Sequence, residues 1–384
     1  MTRPLKVNAY MSAIPPGNKN PEKPKLLEYF VEGVQKAGDK GRIINSYTYE
    51  PSDVAILQGF VHPGSKHVPH LNLRRNVLDG QASISKRTII ADSNLFLAYD
   101  PGNTKTYLRY SFDGIFPNTG EYCDSQILPK RWANLRDDLG LVLKPYKKYG
   151  DYILITCQRD QGWSMDGLSV INWLHVLLQE IRRYTDRKIL VRFHPGDKKV
   201  SKHVQQLRAI GHKVDISSPT SSLLKDLHDA YAVISYNSSP AVIAAIEGVP
   251  VFVLDPTRSQ SAEVANRHIK DIENPNMDFD REAWLRRLAM MHWRLTVLTT
   301  FHQPGLEKYG QRMIDSFAKR VDSKIKLIVY AEDCKPSNPN PEQITILDAI
   351  EVLPKLNAFK ARWSNVDKAN GIPPDDIKAR RPRD

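Results

Sequence analysis

The stretch Ala232–Asp255, AVISYNSSPAVIAAIEGVPVFVLD, decides the fold of this 384-residue chain. Its apolar run Ala232–Tyr236 is β-rich and enters a polar turn, Asn237–Ser239, and Pro240 then stands where the first turn of a helix tolerates proline. A short helix of small residues ends at Gly248, and a second apolar run returns as a strand. Parallel strands need such a crossover, so the stretch predicts one βαβ unit.

The turn Asn237–Ser239 lies where a βαβ unit can hold an anion. Ser239 is the predicted N-cap, with its hydroxyl accepting a hydrogen bond from the first turn of the helix. Backbone N–H groups and the positive end of the helix dipole meet at the carboxyl edge of such a sheet. We expect a phosphate-bearing ligand at this turn. The alternative is an ordinary α/β turn with a polar cap.

The composition is that of a globular protein, with 41% hydrophobic and 26% charged residues. The length favours two domains over one. No apolar run is long enough to span a bilayer, and Met1–Lys25 contains no signal-peptide core, so we expect a cytoplasmic protein. The three cysteines are scattered and form neither a disulfide framework nor a CxxC metal site.

The chain is strongly basic, with a formal net charge of +12 and a pI near 9.4. A positive field favours polyanionic partners, such as nucleic acid, nucleotide phosphates or acidic glycans. Because lysine and arginine are spread along the whole sequence, a basic surface without a specific partner is the alternative.

Strands alternate with helices along both halves of the chain, which predicts α/β domains with doubly wound parallel sheets. We place a boundary at a charged connector near residue 148. This gives an amino-terminal domain over 1–148 and a second domain over 149–320. The remaining residues, 321–384, read as a C-terminal α/β extension whose basic end we expect to be flexible.

The segment His62–His70, HPGSKHVPH, contains three histidines within nine residues. Two prolines and a glycine predict a loop, and the absence of acidic or cysteine ligands argues against a metal site. His62 and His67 are candidates for contacting an acceptor substrate. A solvated loop is the alternative.

Asp92 is the first candidate for a catalytic base, because it follows the β-rich run Lys86–Ala91 at the edge where open α/β sheets bind ligands. A capping role is the alternative. The aromatic stretch Tyr107–Phe116 supplies Arg109 and Tyr110 as candidates for stacking on an acceptor. Asp113, in the same stretch, is the reserve candidate for the base.

In the second half, four loops follow predicted strands and should converge on one crevice. They are Gln158–Ser164, Arg192–Lys198, Ser235–Ser239 and Asp255–Gln260. Their polar side chains suit a nucleotide diphosphate, because guanidinium groups bind phosphate in a bidentate manner. The candidate donor-binding residues of these loops are Arg159, Arg192, His194, Ser235, Asn237, Ser238 and Ser239. No GxGxxG, P-loop or GxSxG motif is present.

At VRFHPGDKK and YNSSPAVIAAIEGVPVFVLDP, the sequence resembles nucleotide-sugar glycosyltransferases of the two-Rossmann (GT-B) architecture, including the donor-binding halves of capsule-polysaccharide transferases. A closer resemblance is to glycosyltransferase-like proteins of tailed phages. It rests on QGFVHPGSKHVPHLNLR, DSNLFLAY, YLRYSFDGIFPNTGEY, QRDQGWSM and LAMMHWR, and covers about Lys6–Arg320.

The resemblance implies two Rossmann-like domains facing a cleft, a UDP-sugar or other nucleotide-sugar co-substrate, no tightly bound cofactor and no metal. It implies that the donor pyrophosphate contacts Arg192, His194, Ser238 and Ser239. It also implies that Glu247 matches the acidic residue that binds the donor ribose. No motif of the family fixes the catalytic base in this chain.

The leading hypothesis is a glycosyltransferase that moves a sugar to a hydroxymethylated base in double-stranded phage DNA, in the host cytoplasm. Sequence-independent attraction to the phosphate backbone agrees with the positive charge. One alternative is a transferase of surface or capsular glycan synthesis. A second is a non-catalytic nucleic-acid-binding protein on a GT-B scaffold.

Overall fold

The computed structural model of the chain describes residues 4–17, 22–36, 39–59, 68–105, 107–122, 127 and 129–294, with the backbone of 320–322 and 325–326. The chain divides into two compact units. Unit 1 comprises Met1–Asn94, Lys105–Asn134 and Ala289–Asp384, and unit 2 comprises Leu95–Thr104 and Leu135–Leu288. This division differs from the single boundary expected near residue 148. The segment Leu95–Thr104 belongs to unit 2, and the chain returns to unit 1 at Ala289.

Strands and helices are numbered along the chain. The strands are β1 (Lys6–Tyr10), β2 (Lys40–Ile44), β3 (Val54–Gln58), β4 (Arg87–Ser93), β5 (Tyr107–Phe112), β6 (Tyr152–Thr156), β7 (Lys188–Arg192), β8 (Asp215–Ile216), β9 (Ala230–Ser235), β10 (Val251–Val253), β11 (His292–Arg294), β12 (Arg320–Asp322) and β13 (Ile325–Lys326). The helices are α1 (Glu22–Lys36), α2 (Pro69–Ser83), α3 (Pro129–Leu139), α4 (Val170–Ile181), α5 (Val200–Ala209), α6 (Leu223–His228), α7 (Pro240–Ile246) and α8 (Arg281–Met290).

Unit 1 is built on a six-stranded sheet with the order β11-β5-β4-β3-β1-β2. β1 to β4 are parallel, whereas β5 runs antiparallel to β4, and β11 runs antiparallel to β5. Phe30 of α1 packs on one face of the sheet, and Leu73 and Val77 of α2 pack on the other. With helices on both faces the sheet is doubly wound, and β3 (VAILQ) is accordingly buried along its whole length.

Unit 2 contains a five-stranded parallel sheet with the order β10-β9-β6-β7-β8. The chain proceeds outward from β6 to β7 and β8, then returns to the other side of β6 for β9 and β10. The direction of winding therefore reverses between β6 and β9. Together the two units confirm the expected fold class of Rossmann-like, doubly wound α/β domains.

The deciding stretch folds as expected into β9, α7 and β10. Every residue of Ala241–Ile246 is buried, which explains the run of small and aliphatic side chains. Gly248 follows with a φ of +75°, in the left-handed region. A Cβ at this position would lie 2.1 Å from the carbonyl oxygen of Pro145, so both the backbone and the packing require glycine.

The sequence predicts Ser164 as the N-cap of the helix that follows β6, because residues with helical apolar spacing come after it. Ser164 does not cap this helix. It lies in a 3₁₀ turn, and α4 begins later, with Ser169 as the N-cap whose side chain accepts from the Asn172 N–H. Asp166 and Gly167 both adopt positive φ angles, 53° and 77°, so the backbone cannot continue as a helix from Ser164.

Two other predicted boundaries change. Pro69, assigned to the histidine-containing loop, begins α2, where proline is well placed at the first turn. The sequence Arg281–Leu295 (REAWLRRLAMMHWRL) predicts one long amphipathic helix. The helix α8 ends at Met290, because the chain turns there into β11 and pairs with β5. The expected C-terminal α/β extension lies outside the described residues, apart from the antiparallel pair of β12 and β13. Within the described part of the chain, no helix combines the length and the hydrophobicity needed to cross a membrane.

Candidate functional site

Three loops of unit 2 emerge at the switch point of its sheet. At the carboxyl ends of the strands, Thr156 of β6 pairs with Arg192 of β7 on one side and with Ser235 of β9 on the other. The residues that follow these three positions therefore share one edge. In doubly wound sheets, ligands bind in the crevice at this position.

A chain of hydrogen bonds through Asn237 joins these loops. The Nδ2 of Asn237 donates to the carbonyl oxygen of Ser164 and to Oδ2 of Asp255, both at 2.9 Å. Its Oδ1 accepts from Nε2 of Gln158 at 2.6 Å. Both amides are buried. The predicted donor-binding residue Asn237 thus holds the crevice together through contacts within the protein.

The loop after β10 is tied to the same chain by Arg258. Its Nε donates to Oδ2 of Asp255 at 2.5 Å, and its two Nη atoms donate to the Asp166 carboxylate at 2.9 and 2.8 Å. The guanidinium carbon lies 6.0 Å from the ring centre of Tyr236. The walls of the crevice are thus fixed by charged hydrogen bonds.

The tautomer of His194 follows from its contacts. Its Nδ1 accepts from the backbone N–H of Gly196 at 2.9 Å, and Nε of Arg159 lies 3.5 Å away. Burial lowers the pKa of His194, and the nearby charge of Arg159 lowers it further. A neutral ring that accepts at Nδ1 carries its proton on Nε2. His194 is therefore a neutral N–H donor at the carboxyl edge.

Arg159 is exposed beside His194. No carboxylate forms an ion pair with it in the part of the chain that the structure describes. The structure thus brings together Arg159 and His194, two of the predicted donor-binding residues, as one cationic and one neutral donor.

The serines of the turn after β9 largely satisfy one another. Ser235 is fully buried, and its Oγ accepts from the N–H of Ser238 at 3.1 Å and lies 2.7 Å from the hydroxyl oxygen of Ser238. Ser239 is the N-cap of α7, but its hydroxyl makes no capping hydrogen bond. The expected cap is therefore wrong in this detail, because Ser239 has helical backbone angles (φ −59°, ψ −26°) in place of the extended ones typical of a capping side chain.

Arg192, a predicted donor-binding residue, forms an ion pair within unit 2. Its Nη1 donates to Oδ2 of Asp226 at 2.5 Å and lies 3.3 Å from Oγ of Ser217. The side chains of this ion pair are 16% and 6% exposed. Arg192 is thus engaged with the start of α6.

Glu247 lies at the opposite edge of the sheet from Ser238, because α7 runs back from the carboxyl ends of the strands. Its Oε1 accepts from the hydroxyl of Tyr99 at 2.8 Å, and its Oε2 pairs with Lys144. Burial raises the pKa of Tyr99, and the bond to Glu247 raises it further. The structure therefore separates Glu247 from the other predicted donor-binding residues.

A cavity of 480 Å³ opens beside this glutamate and is lined by Tyr99, Gly140, Val142, Lys144, Lys147, Leu224, His228 and Glu247. The Nζ of Lys147 donates to the carbonyl oxygens of Leu227 and His228 at 2.8 and 2.7 Å. The two lysines of this cavity, Lys144 and Lys147, thus lie at the carboxyl ends of α7 and α6, where positive charge is favourable.

In unit 1, Asp92 and Arg109 form a cross-strand pair at the carboxyl edge of β4. Oδ2 of Asp92 accepts from Nη2 of Arg109 at 2.7 Å, with side-chain exposures of 16% and 7%. Arg74 of α2 lies near this pair, and burial lowers its pKa to about 10, an effect that the charge of Asp92 partly offsets. The predicted base and the predicted acceptor contact Arg109 are thus neighbours.

Asp113 lies at the other edge of this sheet, because β5 runs antiparallel to β4. Its carboxylate accepts from the N–H of Thr88 at 2.8 Å and from Nε of Arg87 at 2.5 Å, and its φ is +60°. Asp113 is therefore a turn residue, and the structure places it apart from Asp92. Tyr110 belongs to the hydrophobic core of unit 1, where burial raises its pKa, so it does not offer a surface for stacking.

His62 and His67 lie outside the described residues. In the described part of the chain, no group of three or more histidine, cysteine or acidic side chains could hold a metal ion.

Sequence reasoning did not single out Gln158, Asp255 or Arg258. Gln158 and Asp255 each come just after a strand of the sheet, and this position could have indicated that they lie at the ligand-binding edge. The bonds that join them through Asn237 depend on the order of the strands, which the sequence does not show directly.

No protein-family model matches the chain, and no curated protein matches it. Solved structures are similar at low identity. They include the β-Kdo 2,7 transferase of Thermosulfurimonas dismutans KpsC, which is 12% identical with a TM-score of 0.46, over 75% of this chain and 92% of that one. Another is the UDP-GlcNAc 2-epimerase of Methanocaldococcus jannaschii with UDP-GlcNAc and UDP, at 13% identity and a TM-score of 0.28, over 74% and 97%. A third, AviGT4, is a glycosyltransferase of avilamycin A biosynthesis, at 11% identity and a TM-score of 0.28, over 81% and 98%. Because these TM-scores are below 0.5, the fold is assigned from the strand order and direction in the two sheets.

Proposed function

We propose that this protein is a glycosyltransferase that binds a nucleotide-sugar donor at the carboxyl edge of the sheet in unit 2. The observation that carries the proposal is the pairing of Arg159 with His194 at the switch point. One is a guanidinium and the other a neutral imidazole with its proton on Nε2, and both are donors. Donors of this kind suit the oxygens of a diphosphate.

The same donors suit the chemistry of sugar transfer. When the acceptor oxygen attacks the anomeric carbon, the bond from that carbon to the donor phosphate breaks, and negative charge develops on the departing nucleotide diphosphate. Arg159 would stabilise this charge electrostatically, and His194 would donate a hydrogen bond to it. The hydrogen bonds that join Gln158, Asn237 and Asp255 support the proposal, because they fix the loops that carry these groups.

Asp92 is our proposed base for the acceptor hydroxyl. Arg109 contacts its Oδ2, and Oδ1 has no hydrogen-bond partner among the described residues. A carboxylate oriented by one neighbour can accept a proton through its second oxygen. Arg109 then acts as a positioning residue for Asp92.

For the acceptor, we propose a hydroxymethylated base in DNA. The net charge of +12 and the resemblance to phage proteins support this choice. A surface or capsular glycan is the second candidate, because an acidic glycan would be attracted by the same charge.

The test is to incubate the full chain with a panel of nucleotide sugars and with three acceptors, namely hydroxymethylated DNA, unmodified DNA and an acidic oligosaccharide. Mass spectrometry of digested nucleosides and of the oligosaccharide detects transfer. A glycosylated nucleoside from the modified DNA alone is the expected result. Transfer to the oligosaccharide alone would replace the DNA acceptor with a glycan. Failure of every nucleotide sugar to bind, measured by calorimetry, would refute the proposed function.

A further inference from the structure

Gln158 has a buried oxygen that no described residue of the protein satisfies. The residue is 7% exposed and follows β6 at the switch point. Its Nε2 donates to Asn237, but its Oε1 has no hydrogen-bond partner in the part of the chain that the structure describes. A buried acceptor without a donor is costly, and such groups in native proteins call for an explanation.

The orientation of the Gln158 amide is determined by its neighbours. Nδ2 of Asn237 faces two acceptors, the Ser164 carbonyl and the Asp255 carboxylate, so Asn237 cannot be turned over. Its Oδ1 must therefore face Gln158 and requires a donor there, which only Nε2 of Gln158 supplies. The oxygen of Gln158 is left as a buried acceptor with no donor among the described residues, on the loop that follows β6 at the switch point.

We infer that Oε1 of Gln158 is a specificity-determining acceptor, which takes a hydrogen bond from an O–H or N–H group of the bound nucleotide. This inference rests on the proposed function. An ionised phosphate cannot be the partner, because it carries acceptors only. The group must come from the nucleoside part, where a ribose hydroxyl and a base N–H offer the same chemistry. Arg159 and His194 would thus bind the phosphates, and Gln158 would bind the nucleoside.

The experiment uses calorimetry on the full chain. UDP, CDP, ADP and GDP are compared first, and the tightest binder becomes the parent. Its 2′-deoxy analogue, its 3′-deoxy analogue and an analogue methylated at the donor nitrogen of the base are then titrated. In the wild-type protein, one of the three should bind about 10- to 100-fold more weakly than the parent, because it leaves the oxygen of Gln158 unpaired. Which analogue loses affinity identifies the group.

The variant Gln158→Met keeps the length of the side chain and removes both polar atoms. It should bind the parent and the sensitive analogue equally. Gln206→Met, at an exposed position of α5, is the matched control and should discriminate like the wild type. If Gln158→Met does not fold, Gln158→Asn, which retracts the oxygen by one carbon, takes its place with the same expectation.

Two results would overturn the inference and leave the proposed function in place. One is a wild-type protein that binds the parent and all three analogues within about twofold. The other is a Gln158 variant that still discriminates. If none of the four diphosphates binds, the proposed function fails, and the inference fails with it.

Discussion

Gly196 lies against the guanidinium of Arg159, so closely that a Cβ on Gly196 would be 2.6 Å from Nη2 of Arg159. The glycine does not adopt a positive φ, so its backbone would accept alanine. What the missing Cβ provides is room for the arginine. Gly196, on the loop after β7, therefore leaves the space that the guanidinium of Arg159, on the loop after β6, occupies.

Gly196→Ala should therefore displace Arg159 without unfolding the protein, since the end of an exposed arginine moves easily. We expect nucleotide affinity to fall by about 1–2 kcal/mol, as for a weakened hydrogen bond to a charged group, while the unfolding midpoint stays close to that of the wild type. Calorimetry and urea unfolding check the two parts. Gly102→Ala, whose Cβ would meet only a methyl group of Thr104 at 3.2 Å, is the control. Unchanged affinity in Gly196→Ala would remove Arg159 from the donor site.

His194→Ala should weaken nucleotide binding by about 1–3 kcal/mol, because a donor from a neutral imidazole to a charged oxygen is lost. Stability should change little, since His194 is only partly buried and its loop is also held by Asp197, whose carboxylate accepts from the N–H of Lys199 at 2.8 Å. His228→Ala, an exposed histidine at the opposite edge of the sheet, should leave the affinity unchanged. Equal effects of the two substitutions would contradict the assignment.

For Arg192 we expect the reverse of the His194 result, namely a loss of stability with unchanged nucleotide affinity. Removing one partner of its ion pair with Asp226 leaves a largely buried charge without compensation, so Arg192→Ala should destabilise the protein by about 3–5 kcal/mol. The folded fraction should bind nucleotide like the wild type. Urea unfolding measures the first effect, and calorimetry at low temperature measures the second. A loss of affinity with normal stability would return Arg192 to the donor site.

The pair His175 and His212 predicts an acid-sensitive stability. Nδ1 of His175 lies 2.8 Å from Nε2 of His212, and the pKa of His212 is lowered by burial, by His175 and by Arg182. The unfolded chain therefore binds a proton at His212 more readily than the folded chain does. Stability should be complete above the unfolded pKa of about 6.5 and should fall as the pH drops through it.

Urea unfolding between pH 5 and pH 8 tests this slope. His212→Gln should flatten it relative to the wild type. The pKa of His194 is also lowered, so His194→Gln should flatten the slope independently, and the double variant should combine both effects. A wild-type slope retained in His212→Gln would show that His212 does not cause the loss of stability at low pH.

The sequence predicted much of unit 2 because its strands and helices alternate with strong periodicity. The β9–α7–β10 unit, the loop after β7 with His194 and the edge position of Arg159 all follow from that pattern. The partners of the charged side chains did not follow from it. Arg192 and Asp226 are 34 positions apart, and only the pairing of β7 with its neighbours decides that they meet.

The positions of Glu247 and Asp113 also depend on how the strands and helices are arranged, which the sequence does not show. Glu247 is close in sequence to Ser239, but α7 lies between them and places Glu247 at the far edge of its sheet. Asp113 is close in sequence to Arg109, but β5 runs antiparallel to β4 and places Asp113 at the far edge. The sequence marked Tyr107–Phe116 only as an aromatic stretch, and it gave no indication that Tyr107–Phe112 forms a strand antiparallel to β4. For Glu247, the family resemblance implied a role at the ribose, whereas the course of α7 places its carboxylate beside Tyr99 and Lys144.

Asp92 and Asp113 are accordingly expected to differ in kind. A positioned carboxylate that takes a proton from a hydroxyl contributes about 10²–10⁴-fold to a rate, so Asp92→Asn should lose that factor in kcat. Nucleotide affinity should survive, because Asp92 lies in unit 1 and the donor is proposed to bind in unit 2. The measurement is sugar transfer under saturating donor, with calorimetry of the nucleotide alongside.

Asp113→Asn is the matched control, with the same chemical change at the other edge of the sheet. Asparagine tolerates the φ of +60° at this position, so the turn should form. The ion pair with Arg87 is lost, and stability should fall while kcat remains near the wild-type value. If Asp113→Asn loses turnover and Asp92→Asn keeps it, the base lies at the amino-terminal edge of β4. The pairing of Asp92 with Arg109 would then be structural only.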